Sequence, residues 1–519
     1  MLAAARVAAQ VTTAQYGNAR LNANTHETKL TPLTVTATSF GRVATFPVDG
    51  DVYAQPLYRA VRAGRSEGTR ISRDVLFVAT EAGSVYAFDA QGTDRQPLWK
   101  RRLLDAGEEP LTFQDVLCPF IRPTIAITPT PVIDTIANAL YVLARARTRD
   151  SAGHLRFVQR LYAIDLSTGQ DIRSPAEIRA SVNGTGAGAR NGRVDFDPLR
   201  ENPRAALLLD RGVLYLSWAS SCDVGPYHGW IMAYDAATLR QIAAFNTSPD
   251  GSAAGVWQGD AGLAADENGF VYAVTGNGTF DERAPRRNYG NSILQLHLAD
   301  NSLSVASFFT PSNQAMLDRQ DGDLGSSGPM LLPSDEATKR PLVIVTGKDG
   351  MSYVVDRAHM GGYQAGNNPH ARQVVHTSAG GFGAAAYWNG RLFIWGSDTT
   401  LLAYSVKSGQ LQPNAMAAHT RTSDPGSIPV VSANGDRDGI VWAMESRRWR
   451  GPDLPGVLHA YLADDVRQEL YNSEMNASRD RMDLATRFSI PTVANGRVFV
   501  GAKREVDVFG TLGSGIRRQ

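Results

Sequence analysis

The chain has 519 residues, of which 43% are apolar and 20% charged, as in an ordinary soluble globular protein. Its formal net charge is only +1, which argues against nucleic acid or an anionic membrane surface as a partner. No run of about 18 apolar residues exists, so the sequence predicts no transmembrane helix. The 49 glycines are typical of many tight turns between short strands.

Residues 1–40 precede the repetitive part of the chain and are predicted to form an N-terminal extension. Residues 1–14 contain one arginine and lack the strong apolar block of a signal peptide. Residues 41–519 are predicted to form one domain, for the following reasons.

One sequence motif recurs in residues 41–519: an apolar strand, a turn, and a strand that ends in aromatic or apolar residues and Asp. The clear copies are VYAFDAQG, LYAIDLSTG, IMAYDAAT and SYVVDRAH, with the Asp at positions 89, 165, 235 and 356. Weaker copies are LQLHLADN, LLAYSVKSG, LHAYLADD and VDVFGTLG. The mean spacing is about 60 residues, which suits four short strands with their turns. The sequence therefore predicts an all-β fold, a closed β-propeller of eight four-stranded blades; a seven-bladed ring with one large insertion is the alternative.

The two ends of the repeat array are complementary. GRVATFPVDG, residues 41–50, has the pattern of a strand with no repeat before it, and the last copy is followed by GTLGSGIRRQ with no fourth strand. We expect the N-terminal strand to complete the last blade, because such closure leaves no exposed sheet edge.

The recurring Asp invites a functional interpretation, but a structural one is preferred. An Asp followed by Ser, Thr or Gly accepts backbone hydrogen bonds within a turn, so these residues are expected to order the hairpins.

Two cysteines, Cys118 in VLCPF and Cys222 in SSCDVGPY, lie in loop-like segments. They are either two free thiols or a disulfide, and we predict the disulfide, which would suit a secreted or periplasmic protein. Closing a loop of about 100 residues stabilises a chain by roughly 4–5 kcal/mol in the chain-entropy model.

The repeats AFDAQGTDRQPLW and AIDLSTGQ resemble the tryptophan-docking repeats of the alcohol dehydrogenases that depend on pyrroloquinoline quinone (PQQ). The resemblance extends from about Gly41 to Gly513. Enzymes of this family hold the quinone over the propeller axis, where a calcium ion polarises its carbonyl and an Asp acts as general base. The resemblance thus implies an oxidoreductase acting on an alcohol or a sugar, with PQQ and calcium as its cofactors.

The resemblance also implies site residues. SSCDVGPYHGWIMAYD places Asp223 at the calcium-binding carboxylate, and YAVTGNGTF places Asn277 at the calcium-binding amide. LDRQDGDLGSSGP places Asp323, with its neighbour Asp321, at the catalytic carboxylate, and VTGKDGMSYVVDR places Lys348 at a basic residue that contacts the quinone. In these roles Asp323 would accept the alcohol proton, while Lys348 would stabilise the reduced oxygen. Each residue also has a structural explanation, since most of these segments are good turns.

Other features depart from the family. It has two adjacent cysteines that cap the quinone and a Trp beneath it, whereas LCPFIRPTIAITPTPVID contains Cys118 alone. In GVWQGDAGLAADENG the Trp position falls on Leu263 or a neighbour, and Trp257, a candidate for cofactor contact, aligns with an earlier position. The sequence therefore predicts that the groups that sandwich the quinone are missing. There is no CxxCH haem motif.

Two further functions compete with the oxidoreductase. Tyr227 and His228 in GPYHGW could be the acid and base of a polysaccharide lyase or hydrolase, or His228 could simply pack beneath a loop. Alternatively, the propeller binds a protein or glycan without redox chemistry. In each case we expect the small molecule or glycan at the mouth of the central channel, where loops from several blades converge.

Overall fold

The computed structural model describes residues 10–66, 69–92, 94–334, 340–378, 380–446 and 454–513. Strands dominate it, and they form eight antiparallel blades arranged as one ring. The eight-bladed propeller predicted from the repeats is thereby confirmed. No helix in the described ranges is long and apolar enough to span a membrane.

The blades follow one another along the chain, each from its innermost strand outwards. Blade 1 consists of Leu57–Ser66, Thr69–Ala79, Ser84–Asp89 and Trp99–Arg102, and blade 2 of Val132–Asp134, Ala139–Arg149, Leu155–Asp165 and Ala176–Glu177. Blade 3 consists of Leu208–Asp210, Val213–Trp218, Trp230–Asp235 and Gln241–Asn246, and blade 4 of Ala264–Ala265, Val271–Val274, Ile293–Ala299 and Ser302–Thr310. Blade 5 consists of Met330–Leu332, Leu342–Thr346, Met351–Asp356 and Ala371–His376, and blade 6 of Ala386–Trp388, Arg391–Ile394, Thr400–Lys407 and Met416–Arg421. Blade 7 consists of Val430–Asn434, Arg437–Glu445, Val457–Leu462 and Asp465–Asn472, and blade 8 of Thr492–Ala494, Arg497–Ala502, Glu505–Thr511 and Phe40–Pro47.

Shorter elements decorate this ring. The α-helices are Phe113–Val116, Gln314–Gln320 and Ala477–Asp480, and the 3₁₀ turns are Ala14–Tyr16, Gln258–Asp260 and Leu324–Ser326. Two small hairpins pair Leu111–Thr112 with Thr124–Ile125 and Ser181–Asn183 with Arg193–Asp195. Further short strands are Ala23–Asn24, Gly362–Tyr363 and Gln410–Leu411, which extend blades 7, 4 and 6.

The strands are apolar on both faces because each blade is covered by a neighbour on either side. In blade 3, Trp218 lies opposite Trp230 in register, and both side chains are fully buried. Phe196, from the connection before blade 3, packs edge-on against both indoles, with ring centroids 5.2 and 6.0 Å away. The core is therefore a series of layers between adjacent blades.

The ring closes as predicted. Phe40–Pro47 pairs antiparallel with Glu505–Thr511, so that the N-terminal strand is the outermost strand of blade 8. Phe40 anchors this strand, because its buried ring contacts those of Trp442, Tyr471 and Phe509.

The recurring Asp residues have the predicted structural role. Asp165 accepts hydrogen bonds from the backbone of Ser167 and Thr168, and Asp235 accepts them from the backbone and hydroxyl of Thr238. These carboxylates order the turn that leads to the outermost strand.

Residues 11–27 of the N-terminal extension lie within the central channel, along the innermost strands. The backbone of residues 11, 12, 18, 19, 21 and 22 bonds to the backbone of Tyr58, Ile133, Ala265, Leu331, Tyr387 and Val431, which lie in the innermost strands of blades 1, 2, 4, 5, 6 and 7. The amides of Asn18 and Asn24 donate to carbonyls of Leu209 and Val493 in blades 3 and 8. Because this segment touches the innermost strand of every blade in turn, it winds around the ring axis.

Candidate functional site

A pocket of about 360 Å³ opens where most of the connections between neighbouring blades converge. It is bordered by the connections that precede blades 1 to 6 and blade 8, together with turns inside blades 3 and 5. Its volume lies in the range of small-molecule sites. This is the channel mouth at which the sequence predicts a ligand.

Four of the residues singled out from the sequence line this pocket: Asp223, Trp257, Asp323 and Lys348. Asp321 joins them, whereas Asn277 is not part of the wall and contacts the acidic residues from behind. The structure thus brings together residues that are up to 125 positions apart in the chain.

Asp323 is the most enclosed of the acidic groups, with a side chain that is 14% exposed. Its Oδ1 accepts a hydrogen bond of 2.8 Å from the backbone N–H of Asn277, and its Oδ2 lies 3.5 Å from Lys348 Nζ. Burial raises the pKa of Asp323 to about 6, against the opposing effects of that N–H and of the lysine. Gly276 makes the approach possible, because a Cβ there would lie 2.4 Å from Asp323 Oδ1.

Lys348 bridges the two neighbouring carboxylates. Its Nζ lies 2.6 Å from Oδ2 of Asp321, closer than it lies to Asp323. The ammonium group also lies 5.7 Å from the centre of the Phe382 ring, within cation–π range. The lysine charge is therefore held on the pocket wall between acidic and aromatic groups.

Asn277 has its amide orientation set by a relay of hydrogen bonds. The backbone N–H of Leu324 donates to Asn291 Oδ1, Asn291 Nδ2 donates to Asn277 Oδ1, and Asn277 Nδ2 donates to Asp321 Oδ1. Since a backbone N–H can only donate, the direction of the whole relay follows from Leu324. Asn277 therefore presents its NH₂ group to the acidic residues.

Calcium does not fit this set of donors. It requires six to eight oxygen ligands, whereas the amide oxygen of Asn277 is turned towards Asn291 and Lys348 already bridges two of the carboxylates. Throughout the described ranges, no group of three or more His, Cys, Asp or Glu side chains is arranged to hold a metal ion.

Asp223 lies exposed at the rim of the pocket, where its Oδ1 accepts a hydrogen bond of 2.6 Å from the hydroxyl of Tyr227. Cys222 and Asp223 both have a φ of 53°, in the left-handed region that costs a non-glycine residue roughly 1–2 kcal/mol. The neighbouring disulfide and the tyrosine hydroxyl hold this turn in place.

The predicted disulfide between Cys118 and Cys222 is present, and it lines the pocket. It ties the connection between blades 1 and 2 to the turn inside blade 3 that carries Asp223. Two cysteines far apart in sequence thus supply a disulfide surface at the pocket wall without being adjacent in the chain.

Leu263, at or next to the position where the resemblance expects the Trp beneath the quinone, does not line the pocket. Leu263 is completely buried between blades 3 and 4, because it leads directly into the innermost strand of blade 4. Trp257, one turn earlier, reaches the pocket instead, and its indole Nε1 is buried without a hydrogen-bond partner among the described residues. Trp257 therefore contributes an aromatic side chain to the pocket wall.

Tyr227 and His228 do not form a pair that faces the pocket. His228 is 2% exposed, and its two ring nitrogens lie 3.0 and 2.8 Å from the carbonyl oxygens of Ser248 and Ala187. Burial lowers the pKa of His228, while its contacts with the carbonyl oxygens of Ala187 and Ser248 act in the opposite direction. Tyr227 is also buried, and its hydroxyl donates a hydrogen bond to Asp223. This arrangement corrects the alternative in which they serve as acid and base.

Sequence reasoning missed several pocket residues, above all Arg204, Arg487 and Phe382. The guanidinium of Arg204 lies 5.2 Å from the centre of the Phe488 ring, and that of Arg487 lies 4.9 Å from the centre of the Phe120 ring. Each of the three precedes an innermost strand by a few residues. That position in the repeat was the available signal, because the ends of these connections surround the channel mouth.

Comparison with solved structures finds this fold in PQQ-type dehydrogenases. The quinohemoprotein alcohol dehydrogenase ADHIIG of Pseudomonas putida HK5 matches with a TM-score of 0.63 and 14% identity, over 98% of this chain and 81% of that one. A europium-containing methanol dehydrogenase matches with a TM-score of 0.58 and 12% identity, over 97% and 98% of the two chains. No protein-family model matches the sequence, and the comparison with curated proteins gives no match. At such identities the likeness establishes the propeller fold.

Proposed function

We propose that the protein is a quinoprotein-type oxidoreductase that oxidises an alcohol or a sugar in the channel-mouth pocket. The observation that carries the proposal is the enclosed carboxylate of Asp323 beside Lys348, in a pocket of about 360 Å³ with aromatic walls. A secreted or periplasmic location accompanies the proposal, since a disulfide persists in such compartments.

The pocket suits a planar, anionic cofactor such as PQQ. Trp257 and Phe382 offer aromatic surface, and the disulfide offers a further apolar contact. Arg204 and Arg487 line the same cavity and have the charge required to bind carboxylates. The indole N–H of Trp257 is a buried donor that a polar ligand atom would satisfy.

The quinone, when bound, would supply the two-electron chemistry of the oxidation. Asp323 would accept the proton of the substrate hydroxyl, a role that its pKa of about 6 favours at neutral pH. Lys348 would place a positive charge where negative charge develops on oxygen. No role is assigned to calcium, because the donors do not fit it.

A non-redox propeller that binds a glycan or a protein is the second candidate. It is supported by the N-terminal segment, whose backbone bonds to the innermost strands within the channel. The lyase or hydrolase loses its support with the burial of His228.

The test is a calorimetric titration of the purified protein with PQQ, followed by a dye-reduction assay on a panel of alcohols and sugars. We expect saturable binding and a dye reduction that Asp323→Asn lowers by at least about 100-fold while PQQ still binds. Asp356→Asn, at a repeat turn remote from the pocket, is the matched control and should leave the rate unchanged. Absence of PQQ binding at high micromolar concentration would refute the proposal and favour the non-redox candidate.

A further inference from the structure

The acidic side of the pocket already contains a cation of its own. Lys348 Nζ makes a contact of 2.6 Å with Asp321 and approaches Asp323 to 3.5 Å. A divalent ion bound to the same carboxylates would lie beside this ammonium group, and the two positive charges would repel each other.

Contacts other than those with the carboxylates also hold Lys348 in place. Its backbone N–H donates to the carbonyl of Asp323, which joins the turn inside blade 5 to the connection between blades 4 and 5. The Phe382 ring lies beneath its ammonium group. The charge therefore belongs to the pocket wall.

The amide relay adds a second, independent obstacle. Asn277 directs its NH₂ group at Asp321, and reversing this amide would place its oxygen against the carboxylate and its NH₂ against the NH₂ of Asn291. Asn291 itself is fully buried and is required as the acceptor for the backbone N–H of Leu324. The site thus offers a hydrogen-bond donor where a hard cation requires an oxygen.

From these contacts we infer that the pocket binds its quinone-type ligand without a metal ion, with Lys348 supplying the positive charge of the site. The inference rests on the proposed function for the class of ligand. Its particular content is that Lys348 takes the place of the metal charge and that the Asn277–Asn291 relay opposes the binding of calcium.

The test is to titrate the full chain with PQQ, using quenching of tryptophan fluorescence, once in excess EDTA and once in excess calcium. We expect the two dissociation constants to agree within about twofold, which is close to no coupling between the ligand and the ion. In parallel, terbium(III), used alone as a luminescent stand-in for calcium, should give no saturable signal. These measurements use the wild-type chain and so do not depend on how a variant folds.

Variants then assign the charge. Lys348→Met should weaken PQQ binding at least about tenfold in EDTA, whereas Lys348→Arg should retain most of it. Lys407→Met, an exposed lysine of blade 6, is the matched control and should bind like the wild type. Circular dichroism of each variant verifies the fold.

The failures are distinguishable. PQQ binding that tightens tenfold or more with calcium, or a saturable terbium signal that PQQ enhances, would overturn the inference and leave the proposed function standing. Unchanged binding to a folded Lys348→Met would also overturn it, since the charge would then come from elsewhere. No PQQ binding in either buffer would overturn the proposed function itself.

Discussion

Arg20 provides a direct test of how much the channel segment contributes to the ring. Its side chain is completely buried and donates four hydrogen bonds, to the carbonyls of Leu263, Ala14 and Leu207 and to the hydroxyl of Thr13. All four acceptors are neutral oxygens, and two of them belong to the residues that lead into blades 3 and 4. Arg20 thus connects the segment to itself and to the wall of the channel.

The expected cost of Arg20→Ala follows from these contacts. A hydrogen bond to a charged group contributes about 1.5–3 kcal/mol, which gives roughly 6–12 kcal/mol for the set before desolvation is counted. Returning a buried guanidinium to water offsets several kcal/mol of this sum. We therefore expect the variant to lose about 3–5 kcal/mol of unfolding free energy, since the carbonyls that remain are left in a buried site without a donor.

The assay is guanidinium denaturation followed by tryptophan fluorescence and circular dichroism, with limited proteolysis of the native protein as a second measurement. We expect a lower denaturation midpoint for Arg20→Ala and faster cleavage within residues 11–27. Arg467→Ala, an exposed arginine that pairs with Asp465 on its own strand, should show neither effect. An unfolding free energy within about 1 kcal/mol of the wild type, with unchanged proteolysis, would refute the view that Arg20 holds the segment in the channel.

Three further perturbations test other parts of the molecule. Replacing both Cys118 and Cys222 by Ser should lower the unfolding free energy by roughly 4–5 kcal/mol in the chain-entropy model, and reductant should then have no further effect on the midpoint. Phe40→Ala should cost about 3–5 kcal/mol and loosen the closing strand, which faster amide exchange of Phe40–Pro47 would reveal; equal exchange in mutant and wild type would contradict its role as anchor. For His459, burial lowers the pKa, but hydrogen bonds and charges from Glu445 and Glu469 outweigh it, so that the pKa is raised above 6.5. The stability that it contributes is therefore complete below about pH 6.5 and lost as the pH rises through the folded-state pKa. Thermal melts should show the gap between wild type and His459→Gln narrowing with rising pH, and a gap independent of pH would contradict this.

The ring was predictable from the sequence because each blade requires the same pattern of apolar and turn residues. Every unit needs an apolar strand pair and a turn whose Asp accepts backbone hydrogen bonds, so the copies around Asp165 and Asp235 are visible without a structure. Closure was predictable for a related reason, since a strand left over at one end matched a strand missing at the other.

The channel segment could not be predicted in the same way. Residues 11–27 bind the ring through their own backbone and through the polar side chains of Asn18, Arg20 and Asn24, which follow no strand or helix period. Their partners are backbone groups of eight innermost strands, whose positions exist only after the ring has formed. A segment predicted only as an N-terminal extension therefore lies at the centre of the fold.

The site shows where a likeness of sequence segments stops being informative about chemistry. Alignment placed Asn277 next to the acidic residues, and it does contact Asp321. Whether the Asn277 amide directs its oxygen or its NH₂ group at the acidic residues depends on the hydrogen bond that its other atom makes with Asn291. Asn291 is itself oriented by the backbone N–H of Leu324. The same residue type at the same place in a propeller can therefore bind a cation or reject one. For this pocket the deciding group is the buried amide of Asn291, which is not a lining residue of the cavity and whose described hydrogen bonds go to Asn277 and Leu324. The preference for the charge of Lys348 over calcium therefore depends on contacts that exist only in the folded chain.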